Sequence, residues 1–134
     1  MALPDAVREF LQKPNLAVLA TVSPDGRPQA TPVWFLVEDD GHIMINTARG
    51  RVKLRNVEVN PHVALAVYDR DDPYRYVQIR GRVVKIDPAR GAADIDRLSL
   101  RYRGRPYQYP PSSGPADRVT LLIRPRTVHT TGFR

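Results

Sequence analysis

Three cations fall within five residues at Arg49-Gly50-Arg51-Val52-Lys53, where a strand-like run (His42 to Thr47) gives way to a helix-like one. That helix is expected near Arg51 to Val59 and is stopped by Asn60-Pro61. The first turn of a helix carries the positive end of its dipole. Acidic residues are favoured there, and each cation costs roughly 0.3–1 kcal/mol. A bound anion reverses the sign. Free N–H groups, arginine and lysine side chains and the Thr47 hydroxyl then form a phosphate cradle, and Gly50 allows close backbone approach. A solvated basic face explains the same residues at little cost in salt, and this segment alone leaves both readings open. The spacing G-x-x-x-x-G-K-[ST] is absent, as is a G-x-G-x-x-G after a strand, so a phosphate site here belongs to neither of those nucleotide-binding loops.

Other chemistry is thinner. The histidines at 42, 62 and 129 are too scattered to predict a metal site, and His62 with Asp69 has no diagnostic spacing, so no catalytic residue is singled out. The chain has no cysteine, which excludes disulfides and thiolate metal centres. Trp34, Tyr74 and Tyr76 are candidates to wall a ring pocket, and equally to fill a barrel or a dimer seam. Arg80 and Arg82, on either side of Gly81, suit an acidic ligand tail or a solvated strand face. The loop from Tyr102 to Pro115, with Tyr107 and Tyr109 among prolines, is long enough without regular structure to suggest a lid.

The elements that must position these residues are mostly strands. Asp5 to Gln12 reads as a helix with Val7, Phe10 and Leu11 on one face. Strands are expected at Leu16 to Val22, at Arg27 to Val37, at His42 to Thr47, at His62 to Tyr68 and at Tyr74 to Ile86. A core strand follows at Arg118 to Ile123, with Arg126 to Thr131 extending the sheet. Ser23-Pro24-Asp25-Gly26 and Glu38-Asp39-Asp40-Gly41 are tight turns. Pro28 and Pro32 each remove a ladder donor, which places their strand at an edge or gives it bulges. Gly81 marks a bulge or bend. Asp87-Pro88 reads as an N-cap and first helical position, opening a helix with Ile95, Leu98 and Tyr102 on one face. Strands joined by hairpins, with helices too few to alternate with them, predict a mainly β fold: an antiparallel barrel in a single domain spanning 1–134.

Composition is that of an ordinary globular chain: 134 residues, 42% hydrophobic and 26% charged. No apolar run approaches the ~20 residues that span a bilayer, and the first residues lack the features of a signal peptide. A cytoplasmic protein without membrane association is the expectation. The net charge of +7 is carried mostly by arginine and suits nucleic acid, an anionic surface or an anionic small ligand. Nucleic acid is the weakest of these, because the aromatics do not interleave with basic residues in an RNA-binding pattern.

The ordered pieces Leu19-Ala20-Thr21-Val22, Asp25-Gly26-Arg27-Pro28, Thr31-Pro32-Val33-Trp34, Arg51-x-Lys53-x-x-Asn56, Asn60-Pro61, Arg101-Tyr102-x-Gly104 and Arg118 through Pro125 have a familiar arrangement. Together they resemble the pyridoxamine 5′-phosphate oxidase-like split β-barrel proteins, and within them the branch that uses the deazaflavin coenzyme F420. The resemblance runs from about Leu16 to the C-terminus.

It implies a homodimer with cofactor at the subunit interface and a small-molecule substrate. Arg51 and Lys53 would hold the cofactor phosphate, aided by Asn46 and Thr47. Thr31, Pro32, Val33 and Trp34 would lie against the ring system, and Arg55 and Asn56 near the phosphate or the acidic tail. The implied reaction is hydride transfer from the reduced deazaflavin to an unsaturated or carbonyl-containing compound. An FMN-binding oxidoreductase and a non-catalytic cofactor carrier are the alternatives. Val52 separates Arg51 from Lys53, whereas the oxidases proper carry an adjacent basic pair and a C-terminal substrate signature. Both departures point away from vitamin B6 oxidation.

Overall fold

The computed structural model describes residues 2–133. Among them seven strands form one sheet: β1 (Ala17–Val22), β2 (Pro28–Val33), β3 (Phe35–Val37), β4 (Ile43–Ala48), β5 (His62–Asp69), β6 (Asp72–Asp87) and β7 (Arg118–Thr131). Their order is β2-β1-β5-β6-β7-β4-β3, and every pairing is antiparallel. The sheet curls into a half-barrel, the split-barrel fold expected from the sequence. Three helices accompany it: α1 (Asp5–Phe10), α2 (Val52–Val59) and α3 (Gly91–Arg103).

Alternation along the strands decides the two faces. Ala17, Leu19, Leu65, Val67, Val77, Ile79, Leu121 and Ile123 point into the barrel with Ile43 and Ile45, and all are at most 2% exposed. Val7, Phe10 and Leu11 of the α1 region and Leu54 and Val57 of α2 close that core. On the opposite face, Met44 and Leu122 are covered by Ile95 and Leu98 of α3. Truncating one of these buried aliphatic side chains to alanine costs about 2–5 kcal/mol.

The structure revises four expectations. The run from Arg27 to Val37 is two strands, not one: β2 pairs with β1 and β3 with β4, so the chain breaks at Trp34 and supplies both edges of the sheet. Pro28 and Pro32 therefore sit on an edge strand, where missing donors are tolerated. Asp87 is not an N-cap. It ends β6 and accepts a hydrogen bond from the Ala89 N–H, and α3 starts at Gly91. The segments expected at Arg118 to Ile123 and Arg126 to Thr131 are one continuous strand, with Pro125 opposite Gly81.

Finally, Tyr74 is 82% exposed at the β5–β6 hairpin end, and Tyr76 lies in the ladder opposite Tyr68 and Thr131; neither meets Trp34. The bulge at Gly81 is present between Arg80 and Gly81, where a Cβ would approach the Arg124 carbonyl oxygen to 2.7 Å.

Candidate functional site

The turn that carried the sequence argument folds as its residues require. Gly50 adopts φ 86°, a left-handed conformation open to glycine. Arg51 is the N-cap of α2, no side chain caps the helix, and no acidic residue lies in its first turn. The leading N–H groups of α2 thus lack intrahelical acceptors. Lys53 is buried, at 7% exposed.

Around this helix start lies a cleft of about 370 Å³ lined by Leu16, Pro32, Val33, Trp34, Asn46, Arg51, Lys53, Ile95, Leu98, Arg103, Tyr107 and Arg118. Its position follows from the break at Trp34. The chain crosses there from one sheet edge to the other and leaves a gap that α3 and α2 flank. Four of the lining residues are cations, and no carboxylate or imidazole lines the cleft. Among the described residues none of the four enters a salt bridge, although Arg90 and Arg97 pair with Glu38 and Asp94, and Lys13 with Asp69 and Asp71.

The electrostatics record the crowding. Burial pushes the pKa of Lys53 below the ordinary lysine value, and Arg51 and Arg118 push it further. Burial likewise lowers that of Arg118, which is 6% exposed, with Arg51 adding to the effect. Unpaired, half-desolvated cations facing one another are unfavourable unless an anion joins them.

The aromatic wall is built from α3 and the loop after it. Trp34 stacks on Tyr102, centroids 5.3 Å apart and planes 8° from parallel. The Tyr102 hydroxyl donates to the Asn15 carbonyl at 2.7 Å and accepts from the Phe35 N–H at 3.2 Å, and burial raises its pKa. Arg103 lies over the Trp34 ring, 5.3 Å from its centroid. Tyr107 meets Trp34 edge-on at 6.4 Å and Arg118 lies 5.2 Å over the Tyr107 ring. The Tyr107 N–H donates to Asp96 at 2.9 Å, so the loop proposed as a lid is tied to α3 and closes one side of the cleft. Arg101 holds the other end of the scaffold. Its guanidinium donates to the carbonyls of Leu11, Gln12 and Lys13, satisfying the C-terminal end of α1.

Of the residues singled out in the sequence, the structure brings Pro32, Val33, Trp34, Asn46, Arg51 and Lys53 together on the cleft. It does not bring Thr31, Thr47, Arg55 or Asn56 to its lining. Thr31 and Thr47 have buried hydroxyls without a hydrogen-bond partner among the described residues, and Thr47 shares the barrel-facing side of β4 with Ile43 and Ile45. Arg55 is exposed on the outer face of α2. Asn56 is buried and donates to the Thr21 hydroxyl at 3.0 Å, pinning α2 to β1.

Arg49 also turns away, its Nε donating to the Ala116 carbonyl at 3.3 Å. Arg80 lines a separate groove with Ala20, Val22, His62 and Arg126. Sequence reasoning missed Arg118, Arg103, Ile95 and Leu98 as cleft residues. The available signal was Arg118 itself, a cation opening a strand that is otherwise core.

Comparison with known proteins gives this geometry a setting. The family described as pyridoxamine 5′-phosphate oxidase matches residues 3–132. A pyridoxine/pyridoxamine 5′-phosphate oxidase of Rubrobacter xylanophilus is 31% identical over 139 residues, covering 82% of this chain; the chain spans only 64% of that relative's length. A solved structure described as an F420 reductase superposes with TM-score 0.83 at 37% identity, covering 95% of this chain and 98% of that one. The heme storage protein of Vibrio cholerae shares the fold, with TM-score 0.70 at 21% identity over 99% of this chain and 97% of that one.

Proposed function

The chain belongs to the pyridoxamine 5′-phosphate oxidase family, and on that footing we propose that it is an oxidoreductase that binds coenzyme F420 in the cleft between Trp34 and the start of α2. The observation that carries this reading is the cleft's charge: four cations, Arg51, Lys53, Arg103 and Arg118, with no carboxylate among the lining residues. That donor set fits the phosphate and acidic tail of a deazaflavin. The 37% identity to an F420 reductase over nearly the whole of both chains favours that cofactor over FMN.

Arg51 and Lys53, with the free N–H groups of α2, bind the phosphate, and Arg118 binds it from across the cleft. Leu16, Val33, Ile95 and Leu98 exclude water from the flat ring system, and Pro32 and Trp34 orient it from the sheet edge. When bound, the reduced deazaflavin supplies a hydride to an unsaturated or carbonyl-containing small molecule, and the protein supplies orientation. No carboxylate or imidazole lines the cleft, and the proton donors available to the acceptor there are Tyr107, Lys53 and solvent. The family likeness further supports a homodimer with the cofactor at its interface.

The test is a titration of purified protein with F420 and with FMN, followed by cofactor fluorescence. Micromolar or tighter F420 binding is expected, lost when Arg51 and Lys53 are replaced by alanine. Strong FMN binding without F420 binding, or turnover of pyridoxamine 5′-phosphate, overturns the reading. Oxidation of reduced F420 against a panel of enones and aldehydes separates a reductase from a carrier.

A further inference from the structure

The four cations of the cleft are not held alike. Arg118 Nε donates to Asn46 Oδ1 at 2.9 Å. Asn46 Nδ2 donates to the Gly91 carbonyl at 2.9 Å and to Thr120 Oγ1 at 3.4 Å. Thr120 Oγ1 in turn donates to Asp94 Oδ2 at 2.7 Å. Every direction in this chain is forced. A guanidinium only donates, so Asn46 must present its oxygen to Arg118 and its amide nitrogen to Thr120, whose proton is left for the carboxylate.

Asp94 is 3% exposed and accepts from Arg90 Nε and Arg97 Nη1, each at 2.9 Å. Both arginines also pair with Glu38. Two carboxylates thus balance two guanidiniums, and the group brings no net charge to the cleft.

We propose that Asp94, Thr120 and Asn46 form a positioning chain that aims the Arg118 guanidinium into the cleft while leaving its charge uncancelled, with Asn46 acting through Arg118 and not on the ligand. The proposal rests on the reading that this cleft takes an anion. A carboxylate at position 46 would grip Arg118 at least as firmly, but as an ion pair, and would remove the charge the ligand needs. A neutral amide takes one of the five guanidinium N–H groups and leaves the terminal fork for bidentate phosphate contact. The amide itself is fixed by two acceptors, one on α3 and one on β7, so Arg118 is held by the scaffold and not by a mobile loop. Asp94 is the fixed end of the chain. The carboxylate stays buried, three hydrogen bonds from Arg118, and its own charge is met by Arg90 and Arg97.

The test uses ¹⁵N NMR of the Arg118 Nε–H resonance together with titration by inorganic phosphate at low salt. In the native protein that proton should exchange slowly with solvent; in Asn46→Ala and in the near-isosteric Thr120→Val it should exchange fast. Each substitution should weaken phosphate binding about fivefold to tenfold, the scale of one lost charge-assisted hydrogen bond acting indirectly. That loss should disappear when either change is made in an Arg118→Ala background, because a residue acting through Arg118 has nothing left to act on. Asn46→Asp sets a carboxylate oxygen against the Gly91 carbonyl and should lower the thermal midpoint, and the folded variant should lose at least about tenfold in phosphate affinity.

Additive losses in the double variants, an unchanged Arg118 signal in Thr120→Val, or native phosphate affinity in Asn46→Asp would each overturn the positioning chain alone. Phosphate binding that is indifferent to Arg118→Ala and to Arg51→Ala with Lys53→Ala removes the anion-cleft reading itself, and the proposal with it.

Discussion

Lys53→Met separates what the cleft does for binding from what it does to folding. Lys53 is 7% exposed, enters no salt bridge among the described residues, and sits in the first turn of α2. Methionine keeps the length of the stem and removes the charge. In the free protein that relieves about 0.3–1 kcal/mol of unfavourable helix-dipole interaction. It also relieves repulsion from Arg51 and Arg118, on the order of 0.5 kcal/mol each in a cleft open to solvent. The variant without ligand is expected to be more stable by about 1–2 kcal/mol, or about 3–8 °C in Tm for a chain of this size.

The same change removes a charge-assisted hydrogen bond to the anion, worth about 1.5–3 kcal/mol, and F420 should bind about 10–150-fold more weakly. The pH dependence carries the sign. The folded state holds the Lys53 proton less tightly than the unfolded chain, so between its depressed pKa and the ordinary value of 10.5 the unfolded state binds more protons. Native stability should therefore gain a contribution as pH rises through that window, while below it the penalty is fully present; the variant should lack that contribution. Urea unfolding at low salt across neutral to alkaline pH, paired with cofactor titration, measures both sides. A variant less stable than the native protein by more than about 1 kcal/mol, or the same alkaline gain in both proteins, would show that Lys53 is a structural residue and refute the argument.

Three further outcomes are expected. Gly91→Ala would bring a Cβ to 2.0 Å from the Arg118 carbonyl oxygen, forcing α3 off the start of β7. Urea unfolding should show a loss of about 1–3 kcal/mol or more, with weaker F420 binding alongside. Asn56→Ala removes the tie between α2 and Thr21, and denaturation should show a loss of about 1–3 kcal/mol. Its effect on F420 affinity should stay much smaller than that of Lys53→Met, since Asn56 does not line the cleft. Trp34 is the only tryptophan and lines the cleft, so its emission should be quenched on cofactor binding. Replacing Arg103, which covers that ring, should change the emission of the free protein as well.

The sequence alone determined the mainly β fold, the turn at Gly50 and the helix that follows, because each rests on local chemistry. Proline and glycine set φ, apolar residues alternate or recur at helical spacing, and cations at a helix start carry an electrostatic cost wherever the helix is placed. The prolines of β2 announced an edge strand or a bulged one for the same reason, and the sheet order made it an edge. The sequence could not place the break at Trp34 or show that one run supplies both edges of the sheet, because strand pairing is a long-range choice made by burial on both sheet faces.

Nor could it bring Arg118 beside Lys53, residues 65 apart in sequence. That meeting depends on β4 pairing with β7, which sets Asn46 opposite Thr120 and Ala48 opposite Arg118. The basic turn was legible as half of a cationic cleft. The other half exists only once the sheet has closed the distance, and the alternation along β4 decided that Asn46 faces the cleft while Thr47 faces the core.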